Sequence, residues 1–240
     1  MPRLLKIHRI MSKNTKEQQP DSFENVQETL NKAELFINDH KSVLSYGAIG
    51  ILAVVAIFFA IQRFYLIPKN NEASAAMFVA EQYFQRDSFN LALNGDGNYA
   101  GFLDVIDDYG MTQTAKLANY YAGLCYMYTG DYESAISHLK NFKSKDITLS
   151  SVALGVMGDA YVELGDEAKG AAYYEKAAAN AKNDFTSPLY LNKAAQVYEK
   201  LGNYKKALAL YNTIKNDFAL SQEALQIDKN IEKMNAEIAK

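Results

Sequence analysis

The sequence contains one cysteine, Cys125, no tryptophan, four prolines and three histidines in 240 residues. A lone thiol excludes an intrachain disulfide and any zinc site built on several cysteines. His8, His40 and His138 are scattered along the chain and lack the paired spacing from which zinc sites are made. Neither charge sign dominates. The formal net charge is −3, and beyond Arg63 17 Lys and Arg stand against 22 Asp and Glu, so the basic face that nucleic-acid backbones require is missing and nucleic acid is not an expected partner. No Gly-rich phosphate loop and no Gly-x-Ser-x-Gly elbow occurs, so no cofactor and no small-molecule substrate is expected. Asn94, Gly95, Asp96, Gly97 and Asn98 resemble a calcium loop only superficially, because the twelfth position, where a bidentate Glu is needed, is Val105; a turn is the expected role. Asp104, Asp107 and Asp108 share a helix face and read as a solvated surface rather than an acid–base pair. The chain is therefore expected not to be an enzyme.

What is present is apolar: 49% of residues are hydrophobic and 12% aromatic, enough for a sizeable core. Residues 42–62 carry no charge and are bounded by Lys41 and Arg63. As a helix they cover roughly 30 Å, the thickness of a bilayer's hydrocarbon core, with Tyr46, Phe64 and Tyr65 near the ends where aromatic rings favour the interface. A transmembrane helix is expected over 42–65. About 40 mostly polar residues precede it and no small-x-small cleavage site follows, so an uncleaved anchor in a lipid bilayer is expected. Lys32 and Lys41 are balanced by Arg63 and Lys69; the further Arg3, Lys6, Arg9, Lys13 and Lys16 of the tail favour a cytoplasmic N-terminus and an exported C-terminal domain. Residues 1–20 read as a disordered tail. Residues 21–41 read as an amphipathic juxtamembrane helix, with Asp21 and Glu24 at capping-box spacing and Phe23, Val26, Leu30, Ala33 and Ile37 at helical spacing. Residues 66–72 read as a polar linker.

Beyond residue 73 a unit of 35 to 37 residues recurs. Gly130 and Asp131, Gly165 and Asp166, and Gly202 and Asn203 each separate two apolar helical patterns. With each Gly set as unit position 15, Ala122 and Gly123, Met157 and Gly158, and Ala194 and Ala195 occupy positions 7 and 8. Tyr126, Tyr161 and Tyr198 occupy position 11, and Ala135, Gly170 and Ala207 position 20. A degenerate copy precedes them, with Ala80, Tyr83, Asp87 and Ala92 at positions 8, 11, 15 and 20, interrupted by the loop at 94–98. In a second self-match Phe102, Val105, Tyr109, Thr112 and Ala115 align with Tyr211, Ile214, Phe218, Ser221 and Ala224. These residues resemble the tetratricopeptide repeat (TPR), in which small residues at 8 and 20 let two antiparallel helices approach and the aromatic at 11 fills the space between them.

The expected fold is all-α, a single transmembrane helix followed over 73–240 by a TPR-like α-solenoid of about four helical hairpins closed by a polar capping helix. By the same resemblance, positions 5, 9, 12 and 13 line a protein-binding groove: Tyr120, Leu124, Met127 and Tyr128; Gly155, Asp159, Val162 and Glu163; Asn192, Gln196, Glu199 and Lys200. Its first part is aromatic and aliphatic, suited to unfolded or extended peptide. A second role is equally open to those aromatics, packing against the irregular first hairpin. Cys125, at position 10 among helix-packing residues, is expected to be an inert buried thiol.

The order of polar tail, amphipathic helix, single span and about four repeats resembles the YfgM-like family of ancillary subunits of the bacterial Sec translocon. That resemblance implies a bacterial inner-membrane location with the repeats in the periplasm. It also implies a SecYEG-like translocon and a periplasmic chaperone as partners, and a role in handing translocated proteins to that chaperone. Two other classes compete. Residues 102–115 also resemble repeats of outer-membrane assembly and cell-division coordinators, and a cytosol-facing co-chaperone receptor would need a Lys, Asn and Arg clamp where Tyr120, Leu124 and Tyr128 stand.

Overall fold

The computed structural model describes residues 21–240, with side chains of 21–28 and 33 outside that description; the tail expected to be disordered at 1–20 and His8 also lie outside it. The chain divides into two compact units, Met1–Ile61 and Gln62–Lys240.

In the first unit, α1 spans Asp21–Asp39 and α2 spans Lys41–Ile61. Helix α2 takes in 20 of the 21 uncharged residues and none of its side chains is buried. It belongs to a helical stretch, Lys41–Gln85, long and apolar enough to cross a membrane.

The second unit is built only of helices: α3 (Ile67–Gln85), α4 (Phe89–Asn94), α5 (Phe102–Tyr109), α6 (Gln113–Thr129), α7 (Tyr132–Asn141), α8 (Ile147–Glu163), α9 (Glu167–Ala181), α10 (Thr186–Lys200), α11 (Tyr204–Asp217) and α12 (Ile227–Ile238), with a short 3-10 turn at Glu223–Gln226. Among the described residues there is no strand. It is a TPR-like solenoid whose hairpins are α6–α7, α8–α9 and α10–α11, preceded by a hairpin of α3 with α4 and α5 and closed by α12. The linker expected at 66–72 is instead helical, a π-helical segment at Gln62–Leu66 running into α3. Pro68 falls at the second position of α3, directly after the π-helical segment and inside the helical stretch Lys41–Gln85, so the residue that reads as a break leaves the chain helical, with the π-helical segment beside it taking up the missing N–H. Asn70 then ties α3 to α6, its side-chain oxygen accepting from the Thr114 N–H at 3.0 Å.

The turn between paired helices is specified locally. Gly130, Gly165 and Gly202 adopt φ of 83°, 77° and 73°, the left-handed region where a Cβ is strained. The next residue caps the second helix: Asp131, Asp166 and Asn203 accept from the N–H groups of Ser134, Lys169 and Lys206. The degenerate copy holds the same geometry with Asp87 at φ 55°. Packing follows from the small positions. A Cβ on Gly123 would come within 2.6 Å of Leu139, and one on Gly158 within 2.6 Å of Tyr174, so each glycine is what lets its hairpin close. Ala80, Ala122, Ala195, Ala92, Ala135 and Ala207 have no exposed surface.

The insertion at 94–101 is itself ordered. Asp96 accepts from the N–H groups of Asn98 and Tyr99 and from the Tyr83 hydroxyl at 2.8 Å, and these bonds hold its carboxyl below the usual carboxylate range. A Cβ on Gly101 would lie 2.2 Å from the Leu93 carbonyl oxygen, so the loop folds back on its own helix. The second self-match has a structural counterpart. Thr112 and Ser221 accept from the N–H groups of Ala115 and Ala224, and Phe102, Val105, Tyr211 and Ile214 are all buried.

Candidate protein-binding groove

The first helices of successive hairpins, α3, α6, α8 and α10, carry unit positions 5, 9, 12 and 13, and their neighbours show how each position is used. Tyr120 does not reach the open surface. It is 9% exposed, packed against Phe142 at 5.2 Å and Tyr121 at 5.7 Å between ring centroids, because the α7–α8 connection folds Phe142 over it. Leu124 and Met127 are half-buried and Tyr128 is 66% exposed, so these three remain together along α6. Tyr128 also stacks on Phe89 at 4.6 Å and 11°. It therefore packs against the first hairpin while keeping most of its surface open.

At the other end Asp159 and Val162 are half-buried and Gln196 is exposed. Asp159 accepts from the Tyr174 hydroxyl and pairs with Lys193 at 2.8 Å. Burial, then the bond to Asp159, pushes the Tyr174 phenol upward, and burial raises the neighbouring Tyr190 to about 12. Gln196 lines a shallow cleft with Glu199, Lys200, Tyr204, Lys233 and Glu237. Gly155 faces no groove, since a Cβ there would overlap the Tyr190 ring.

The first hairpin contributes residues that were not singled out from the sequence. Phe84 meets Phe89, Phe102, Tyr121 and Tyr128 at 5.2 to 6.5 Å. Glu81, also on α3, is a half-buried carboxylate raised by burial, and its charge acts on Tyr121. Carrying positions 9 and 12 onto the degenerate copy would have found Glu81 and Phe84.

Two further polar candidates, Asp104 and Cys125, take structural positions. The Asp104 side chain accepts from the Gly101 N–H at 2.9 Å and caps α5. Cys125 is buried and its thiol pushed up to about 12 by burial, which removes the thiolate that metal binding or nucleophilic chemistry needs. Among the described residues no three His, Cys, Asp or Glu side chains gather as a metal site.

The tetratricopeptide repeat family matches this chain at residues 117–146, 152–184 and 193–221, one match in each in-register unit. A crystal structure of the MamA protein superposes with a TM-score of 0.50 at 18% identity, covering 70% of this chain and 88% of that one. A second crystal structure of MamA gives a TM-score of 0.47 at 19% identity over 67% of this chain and 96% of the other. No curated protein matches the chain. At such identity the MamA likeness speaks for the fold alone. The repeats, their family match and the stacked hairpins together make this a TPR-containing protein whose solenoid is a protein–protein interaction scaffold.

Proposed function

We propose that this protein is a single-span scaffold of the bacterial inner membrane, ancillary to a SecYEG-like channel, that receives extended segments of translocated proteins and passes them to a periplasmic chaperone. The observation that carries the reading is a division of labour along the chain. Helix α2 spans about 31 Å with no buried side chain, which supports an anchor. Leu124, Met127 and Tyr128 leave adaptable apolar surface on a rigid repeat face, which supports capture of unfolded peptide. The tail lies on the cytoplasmic side and the solenoid in the periplasm.

Two measurements test this. Protease added to spheroplasts should degrade the region after Lys69; protection until the membrane is broken would reverse the orientation. A photo-crosslinking residue at Tyr128 in intact membranes should recover a channel subunit or an envelope chaperone. Recovery of outer-membrane assembly or cell-division components instead would move the scaffold to a different process.

A further inference from the structure

We propose that one edge of the solenoid is a lipid-contacting edge, resting on the bilayer surface that holds the anchor; this rests on the reading of α2 as a span. The edge is the one at which each hairpin begins and ends. The chain starts the solenoid there: Tyr65, Leu66 and Lys69 line one cleft with Tyr109, Met111 and Thr112 of the α5–α6 turn. Gln113 and Lys116 of α6 then line the next with residues 143–146 of the α7–α8 connection. Asn180, at the end of α9, donates to the Ile147 carbonyl and the Ser151 hydroxyl at the start of α8. Because α11 runs back along α10, its C-terminal connection through residues 218–226 returns to the same edge. Tyr65, Leu66 and Lys69, near the start of the second unit, therefore sit on this edge.

Large apolar side chains project from these turns with almost nothing over them: Met111 is 73% exposed, Ile147 58%, Phe185 82%, Leu220 100% and Leu225 82%. The opposite edge, where paired helices turn, is different. Its turns carry Asp87, Asp131, Asp166 and Asn203; of its apolar residues Leu164 and Leu201 are exposed by 39% and 45%, and Tyr128, 66% exposed, is stacked on Phe89. Isolated exposed leucines are ordinary on protein surfaces, but one at nearly every turn of a single edge is not. The middle of the edge is basic. Lys116, Lys143 and Lys145 frame a cleft whose one carboxylate, Asp146, is engaged by the Leu149 N–H, and among the described residues none of the three lysines forms an ion pair. Asp107 and Asp108 stand nearer the start of the edge, beside Lys69. In the middle of the edge, apolar tips beside lysines fit the interfacial layer of a bilayer containing anionic phospholipid, where the tips enter the acyl boundary and the ammonium groups remain at headgroup level. Toward its end Phe185, Leu220 and Leu225 stand among Lys182, Asp184, Asp217 and Glu223, so contact there rests on the apolar tips.

The test uses the full chain in vesicles of phosphatidylcholine and phosphatidylglycerol. Single cysteines are introduced at Phe185→Cys, Leu220→Cys, Glu133→Cys on the opposite edge and Phe58→Cys within α2, each labelled with an environment-sensitive fluorophore. Cys125, buried and protonated, stays unlabelled. Brominated acyl chains should remove most of the fluorescence at positions 58, 185 and 220 and little at 133. Quenching at 58 with positions 185 and 220 as bright as 133 overturns the lipid contact, leaves the anchor standing and directs the search to a protein on this edge. An unquenched position 58 overturns the anchor and this proposal with it. Replacing Leu220 and Leu225 together by Asp should restore fluorescence at 185.

Discussion

The first and last junctions between hairpins make equivalent contacts with opposite chemistry. Unit position 17 meets position 13 of the next unit in both: Phe89 stacks on Tyr128 at the first junction, whereas Glu167 pairs with Lys200 at the last. Position 9 likewise acts on position 6, through the charge of Glu81 on Tyr121 in one and the ion pair of Asp159 with Lys193 in the other. Positions 8 and 20 meanwhile stay small throughout. The framework that closes each hairpin is held constant, while the contacts between hairpins are free to vary. The aromatic junction leaves apolar surface open to a client, and the ionic junction spends its polar groups on itself. Glu199 extends the latter pattern by pairing with Lys233 of the capping helix.

The largest effect should come from the shared framework. Gly158→Leu places atoms where the Tyr174 ring lies and should destabilise the fold by about 3 kcal/mol or more, measured by urea unfolding of the detergent-solubilised chain. A smaller, asymmetric effect should separate the junctions. Phe89→Ala, which removes a stacked ring and its packing on Phe84, should cost about 2 kcal/mol. Lys200→Ala, at the equivalent contact but with its side chain 68% exposed, should cost below about 0.5 kcal/mol and lose even that in high salt. Equal losses would erase the distinction between the two junctions.

The smallest effect is one of pH. Burial lowers the His138 imidazole below its ordinary value of 6.5, partly offset by Asp107 and Asp131. Its Nδ1 lies 3.1 Å from the Asn119 side-chain oxygen and its ring stacks on Tyr126. In the window between the folded and ordinary values the unfolded chain binds more protons, so stability rises with pH there. The fold should weaken as pH falls through about 6.5 and stop weakening once the folded imidazole is protonated. His138→Gln should flatten that slope in thermal melts across the same range; an unchanged slope would place the proton elsewhere.

Much of this architecture was legible because it is written locally. A Gly at position 15 followed by Asp or Asn terminates one helix and caps the next, and small residues at 8 and 20 state where two helices must touch. The degenerate hairpin was legible in part, since Asp87 takes the left-handed conformation without being glycine. Pro68 misled, because the chain stays helical through it, with a π-helical segment at Gln62–Leu66 just before it. The groove was harder to read. Position 5 predicts a surface residue for Tyr120, yet Phe142, from a connection the repeat register does not describe, covers it. Leu124, Met127 and Tyr128 lie together along α6, but the register names no partners, so neither the stack of Tyr128 on Phe89 nor the pairing of Asp159 with Lys193 could be inferred.

The claim at the centre of the account is that clients engage the aromatic end of the groove. It is tested by placing the same photo-crosslinking residue at Leu124 or at Gln196 of the full chain, in membranes carrying an arrested translocating polypeptide. Crosslinks from 124 with few or none from 196 are the predicted result; equal yields, or yields favouring 196, would contradict it.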